Sequence, residues 1–304
     1  MTTPLGPILS ATVTTPDIDN SVQDYVDHLY MTAADRRPVP RALAESWGAP
    51  AVAGNQMVLL KPQRGQPGWI RFVEGEVPDD YAPFKTFGWT AIELVVKNCD
   101  ALAPELKGTP FVEIGAPADL GVVKGVRAMQ VVGRAREVVY LTHRDEVQNF
   151  GYRHVMGTVD RIFIMVLGSP DFDKATAFYQ GRFTAPTGID VKSSQTLIRN
   201  ALGLTLDDKF RMRTMLMNGP QEVVGKIQLD EHPPQARVRT VPKGGLPPGI
   251  ALVTFAVPTL TGLEDLGFLA PPQVFDLPPY GQRRTATCRG PGGELVELVA
   301  ENAA

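Results

Sequence analysis

Three residues in the first half of this chain are of the types that move protons and hold oxygen anions: Arg71, Glu93 and Tyr140. Each sits in a short run of strand-forming residues: Trp69-Ile70-Arg71-Phe72-Val73, Ala91-Ile92-Glu93-Leu94-Val95 and Val138-Val139-Tyr140-Leu141-Thr142. Side chains alternate between the two faces of a strand. Arg71 therefore shares a face with Trp69 and Val73, Glu93 with Ala91 and Val95, and Tyr140 with Val138 and Thr142. A fourth run puts Ser10, Thr12 and Thr14 on one face. If these faces line one cavity, a chemistry follows. Arg71 would hold a carboxylate, phenolate or enolate oxygen through paired hydrogen bonds. Glu93 in a dry pocket would have a raised pKa and could move a proton near neutral pH. Tyr140 would donate to a developing oxyanion. We therefore expect Arg71, Glu93 and Tyr140 to be catalytic, with Ser10, Thr12, Trp69 and Thr142 contacting substrate. The same residues admit a plainer arrangement, in which Arg71 and Glu93 form a structural ion pair and Tyr140 is a packing aromatic.

The elements that must position these residues occur twice. Thr15-Pro16-Asp17-Ile18-Asp19-Asn20-Ser21 returns as Ser169-Pro170-Asp171-Phe172-Asp173-Lys174-Ala175. Gly68-Trp69-Ile70-Arg71-Phe72-Val73-Glu74 returns as Gly225-Lys226-Ile227-Gln228-Leu229-Asp230-Glu231, and Arg136-Glu137-Val138-Val139-Tyr140-Leu141 as Gly293-Glu294-Leu295-Val296-Glu297-Leu298. The order is kept in both halves, which marks a duplicated architecture. Each half divides again into strand, helix and a group of strands, with Asp19 or Asn20 expected to cap the first helix and Asp100 the second. The expectation is an α+β chain of four tandem βαβββ units forming two cupped, mixed or antiparallel sheets. Residues 1–145 would be one domain of two units, 146–158 a linker and 159–304 the second domain. Adjacent units would share a cup. Segments 31–56 and 231–249 read as connections or pocket-covering loops.

Bulk properties narrow the function. The chain has 304 residues, 43% of them apolar, enough for two cores of ordinary size. A net charge of −3 argues against a nucleic-acid binder, which needs a basic face. No apolar run is long enough to span a bilayer, and Met1 to Pro7 has no basic stretch followed by an apolar one, so a cytoplasmic location is expected. Cys99 and Cys288 read as buried free thiols. Asp230, Glu231 and His232 would face solvent at a strand end. His143 and His154 would belong to a charged hinge, or reach over a cup mouth as acid or base. Partners would be small molecules, with the chain a monomer or homodimer.

The Pro-Asp-x-Asp helix entries at Asp17 and Asp171, Ala177-Phe178-Tyr179 and the closing Gly292-Gly293-Glu294-Leu295-Val296-Glu297-Leu298 carry a resemblance over nearly the whole chain. The sequence resembles the vicinal oxygen chelate superfamily: glyoxalase I, extradiol dioxygenases, bleomycin-resistance proteins and related epimerases. That resemblance implies a glyoxalase-like fold and metal ligands near the start of each unit's first strand and in its last strand. Those positions hold Ser10, Arg71, Ala91 (or Thr90) and Tyr140 in the first half, and Ile164, Gln228, Leu252 and Glu297 in the second. A divalent ion needs three or four converging donors. The expectation is therefore no metal, or one divalent ion weakly held by Gln228 and Glu297. The function implied is isomerase- or lyase-type carbonyl chemistry on a small, partly apolar, oxygenated compound of aromatic, polyketide or steroid-like kind. The alternatives are a non-catalytic binding or resistance protein, and a divergent dioxygenase drawing ligands from His143, His154 or His232.

Overall fold

The computed structural model describes residues 2–63, 67–121, 124–144, 155, 157–193, 196–205, 207–219 and 225–301. The first unit is β1 (Ile8–Thr15), α1 (Ile18–His28), β2 (Met31–Pro38), α2 (Arg41–Ser46), β3 (Gln56–Pro62) and β4 (Trp69–Glu74). The second is β5 (Gly88–Val96), α3 (Cys99–Leu106), β6 (Val112–Asp119), β7 (Val126–Val132) and β8 (Val138–Arg144). The third is β9 (Val159–Ser169), α4 (Phe172–Ala177) continued by a π turn, β10 (Thr187–Ser193), α5 (Thr196–Leu202), β11 (Phe210–Leu216) and β12 (Lys226–Glu231). The fourth is β13 (Gly249–Val257), β14 (Gln273–Phe275), β15 (Arg283–Arg289) and β16 (Leu295–Ala300), its helix reduced to a single turn at Glu264–Leu266.

The helices form where the sequence permits an apolar stripe. Ile18, Val22 and Tyr25 lie on the buried side of α1 at helical spacing. Asp17 caps it by accepting from the Asn20 N–H, and Asp171 does the same for α4 through Lys174. The caps thus fall at Asp17 rather than Asp19 or Asn20, and at Asn98 rather than Asp100. The reason is register: the cap must precede the first residue whose side chain turns into the core, Ile18 or Cys99. Residues 31–56 are not a plain connection, because they contain the edge strand β2 and the helix α2.

Each half does not build its own cup. The strand orders are β14-β15-β16-β13-β1-β4-β3-β2 and β10-β11-β12-β9-β5-β8-β7-β6. The first unit therefore pairs with the fourth, and the second with the third. The seams are antiparallel, β1 against β13 and β5 against β9. The segments joining β4 to β5 and β12 to β13 both cross between sheets and run side by side, with Phe87 N–H donating to Arg237 O and Arg237 N–H to Lys85 O. Buried Arg239 fixes this crossing by donating to Trp89 O, Pro248 O and Ile250 O.

Strand alternation then creates three interiors. Ala11, Val13, Ile70 and Phe72 of one sheet and Trp89, Ile92, Leu94 and Met165 of the other point into a shared core with α1, α3 and α4. The opposite faces line the two cups. Two equivalent bonds tie the units together across this core. Tyr25 of α1 donates to Glu137 at 2.9 Å, and Tyr179 of the π turn donates to Glu294 at 2.9 Å. Both carboxyls sit under glycine turns where a Cβ on Gly133 or Gly290 would collide with them. Burial lifts both to about 7.

Candidate active site in the cup of the second and third units

In the cup of the first and fourth units, Arg71 is fully buried and every direction of its guanidinium is used. Its Nε donates to Thr12 Oγ1 at 2.8 Å, one terminal nitrogen to Tyr280 Oη and the other to Glu297 Oε2 at 3.3 Å. Glu297 also accepts from Trp47 Nε1 at 2.6 Å and Thr254 Oγ1 at 2.7 Å. The Trp47 ring centroid lies 4.6 Å from the guanidinium carbon, a cation–π contact. Ser10 donates to Thr254. Trp47 follows α2, so the segment expected to cover a pocket instead fills this cup, with Leu43, Val52, Phe275 and Leu277 packed around it. Burial pulls the Arg71 pKa down, but Tyr280 and Glu297 outweigh it and leave it above its ordinary value. A charge this fully paired is structural.

The cup of the second and third units is open. It holds a cavity of about 510 Å³, and Glu93, Tyr140, Thr142, Thr214, Lys226 and Gln228 all face it. One cross-sheet row runs Gln130, Tyr140, Glu93, Ile164 and Lys226 on neighbouring strands β7, β8, β5, β9 and β12. Glu93 is 3% exposed. Thr142 Oγ1 donates to its Oε1 at 2.5 Å, and among the described residues no ion pair reaches it. Burial raises its pKa to about 7, against the smaller opposing effects of Thr142 and Lys226. Burial first, then Asp230 and Glu93, holds the Tyr140 hydroxyl well above its ordinary value, so it remains a donor.

The structure thus unites Glu93, Tyr140 and Thr142 and separates them from Arg71, Ser10, Thr12 and Trp69. The expected convergence of Arg71 with Glu93 and Tyr140 fails because β4 belongs to one sheet and β5 and β8 to the other. Gln228 and Glu297 are parted for the same reason: β12 lines the open cup and β16 the filled one. His143 is not part of a hinge: it is 7% exposed in β8, and its Nδ1 accepts from the Cys99 N–H at 3.0 Å. His154 lies outside the described residues. Asp230 and His232 are 1% and 3% exposed rather than solvent-facing, because the crossing segment covers that strand end. Lys226, missed on the sequence, was legible as the residue two before Gln228 on the same strand face.

The donor sets do not suit the divalent ion that the resemblance implies. In the filled cup a guanidinium stands among the ligand positions, and Glu297 is saturated. In the open cup, among the described residues, Glu93 and Asp119 are the lining carboxylates, Asp119 is paired with Arg127, the amide nitrogen of Gln228 donates to Asp230 at 3.1 Å, and Lys226 adds positive charge. Among the described residues, Cys99, Asp100 and His143 alone bring three donor types within 4.8 Å. Each is committed. His143 caps α3, Asp100 takes two bonds from Arg127 at 2.6 and 2.9 Å, and burial lifts the Cys99 thiol to about 11.

No protein-family model matches this sequence, and no curated protein matches it. Solved structures do. Glyoxalase I from Zea mays superimposes with a TM-score of 0.63 at 15% identity, covering 97% of this chain and 92% of that one. A putative dioxygenase from Bacillus subtilis subsp. subtilis str. 168 gives 0.65 at 12% identity, covering 100% and 87%. The chain is a four-module protein of the vicinal oxygen chelate fold. At these identities the likeness concerns architecture, and the chemistry has to come from the cups themselves. Among the described residues no helix is long and apolar enough to cross a membrane.

Proposed function

We propose that this protein is an enzyme that moves a proton next to a carbonyl on a small, partly apolar, oxygenated substrate, and that the reaction takes place in the cup of the second and third units. One observation carries the reading: Glu93 is a buried carboxyl, pushed up to about 7 and held by a threonine, and it faces a cavity of about 510 Å³. Near neutral pH such a group exchanges its proton readily. Thr142 fixes its orientation. Tyr140, the cross-strand neighbour of Glu93 on β8, donates to the oxygen that gains charge as the proton leaves carbon. Apolar walls at Val95, Phe163, Ile164 and Met212 exclude water and suit an aromatic, polyketide or steroid-like body. Isomerisation and elimination both begin with this step, so an isomerase or lyase fits, and no step passes through a metal.

The test is exchange of carbonyl-adjacent protons for deuterium, followed by NMR across a panel of apolar ketones. The wild-type protein should accelerate exchange for at least one of them. Glu93→Gln should slow it by about 10²–10⁴-fold, the usual worth of a general base, while binding stays within a few-fold. Equal exchange by Glu93→Gln and wild type would remove Glu93 from the chemistry. The cavity's largely apolar lining also supports a second reading, a protein that sequesters a small molecule. Tight binding with no exchange of any compound would favour it.

A further inference from the structure

The open cup contains a polar group that proton transfer at Glu93 does not use. Gln130 of β7 lines the cavity and stands directly across from Tyr140, which in turn stands across from Glu93. Among the described residues its carboxamide makes no hydrogen bond, so it can both donate to and accept from a ligand. Its position is built into the sheet. On its other side Gln130 is paired with Gly115 of β6, and a Cβ on Gly115 would collide with the Gln130 amide oxygen. The carboxamide therefore lies over β6, in the space that a side chain at 115 would take. The φ of Gly115 lies outside the left-handed region, so room rather than backbone conformation calls for glycine here. β6 also shifts register on both sides of Gly115, as a strand does where it re-aims its neighbours. The rim around the amide is apolar, with Ile114, Ala116, Leu120 and Val126. Of the charged groups on this side, Asp119 pairs with Arg127 at 3.4 Å and Arg144 has interactions of its own.

Resting on the reading of this cup as the active site, we propose that Gln130 selects the substrate, an apolar carbonyl compound bearing an uncharged hydroxyl or second carbonyl several bonds from the reacting carbonyl. The reacting oxygen lies at Tyr140 and the adjoining C–H faces Glu93. The second oxygen lies on the opposite side of the carbonyl and meets the carboxamide over Gly115. Two strand spacings, about 10 Å along the sheet, separate β8 from β6, which leaves room for a ring between the two oxygens. A carboxylate at the same place would give up its hydration to an apolar rim and one neutral amide.

Calorimetric titration of the full chain with three rigid probes tests the assignment. They are para-(hydroxymethyl)acetophenone, para-ethylacetophenone, which keeps the shape without the hydroxyl, and para-acetylbenzoate, which puts a charge in its place. The hydroxymethyl ketone should bind about five- to tenfold tighter than the ethyl ketone, the worth of one neutral hydrogen bond, and tighter than the benzoate. Gln130→Leu should erase that advantage and leave the ethyl ketone's affinity as it was, which also reports an intact cup. Gly115→Ala should shrink the advantage by crowding the carboxamide out of its seat. Equal affinity for the hydroxymethyl and ethyl ketones, tighter binding of the benzoate, no binding of the hydroxymethyl ketone, or a preference unaltered in Gln130→Leu or in Gly115→Ala would each overturn the proposal. Its fate is separable from that of the catalytic reading. A hydroxyl preference that Gln130→Leu erases, with no proton exchange on any compound, would sink the enzyme and leave this assignment standing. Exchange of the ethyl ketone at the hydroxymethyl ketone's rate and affinity would do the reverse.

Discussion

The two cups are built from the same duplicated units and end in opposite states. In one, a buried carboxylate meets a guanidinium, a phenol, an indole and a threonine, and the space above is filled by Trp47 and Tyr280. In the other, a buried carboxyl has a threonine for its partner and opens onto a cavity. A carboxyl in a cup is therefore not a site by itself, and neither is a raised pKa: Glu137 and Glu294 also sit at about 7, and each is spent on a tyrosine that joins two units. What separates Glu93 from them is the unfilled space that it faces. The filled cup shows what scaffold duty looks like, and the open cup departs from it.

The comparison is broken most sharply at the two carboxyls. Glu93→Gln should cost the exchange reaction about 10²–10⁴-fold and leave the fold intact. The fold should even gain at alkaline pH. The folded-state pKa of Glu93 is raised from 4.5 to about 7, so the folded protein holds this proton more tightly than the unfolded chain. That contribution is fully present below pH 4.5 and is lost as pH rises through 7, by up to roughly 3 kcal/mol. Denaturant titrations of Glu93→Gln and wild type should coincide at low pH and separate in favour of the variant above pH 7. In the filled cup the order of effects is inverted. Arg71→Met leaves Glu297 buried without its cation and should cost about 3–5 kcal/mol in the same titrations, while exchange in the other cup is unchanged. Arg71→Met with Glu297→Leu should recover much of that loss. If Arg71→Met were as stable as wild type, the filled cup would not be held by its ion pair.

How much of this could be read from the chain follows the range of the forces involved. Alternation is local, so the inward faces of Ser10, Thr12, Arg71, Glu93, Tyr140 and Thr142 follow from their spacing alone. Duplication is also legible, because Asp17 and Asp171 each cap a helix and Glu137 and Glu294 each close a turn. The choice of partner between units is not local. Nothing within Ile8–Thr15 says that it lies beside Gly249–Val257, on the far side of the sequence. That pairing is decided by the crossing segments and by Arg239, whose carbonyl partners Trp89 O on β5 and Ile250 O on β13 lie in the two sheets. One unread pairing was enough to move Arg71 out of the site and to part Gln228 from Glu297. Short edge strands such as β14, three residues long, and the filling role of residues 41–52 were hidden because tertiary contact, not propensity, forms them.

A smaller effect should appear at the crossing itself. His232 is 3% exposed, and among the described residues neither ring nitrogen has a hydrogen-bond partner. Burial, with a lesser push from Arg239, lowers its pKa from 6.5 to about 4. The unfolded chain therefore binds this proton first as pH falls. The stability contributed by neutral His232 is whole above pH 6.5 and is lost on the way down to pH 4, by roughly 3 kcal/mol at most. His232→Phe should abolish that loss between pH 6.5 and 4, a window in which Glu93, Glu137 and Glu294 act with the opposite sign. An acid limb of unchanged slope in His232→Phe would assign acid lability to other groups.

The duplicated staples provide the finest test. Tyr25→Phe strips the hydroxyl that donates to Glu137 Oε1, and Tyr179→Phe the one that donates to Glu294 Oε1, each at the same 2.9 Å. Each change should cost about 1–3 kcal/mol, because a buried acceptor is left unmet. The two losses should be equal within error and additive in the double variant, since the staples share no partner. Tyr25 joins the filled cup to the open one from the first unit, and Tyr179 joins them from the third. Equal costs would show that the scaffold kept its symmetry while the cups diverged. Unequal costs would mean that filling one cup shifted load onto one staple, and the weaker member would identify the half that carries it.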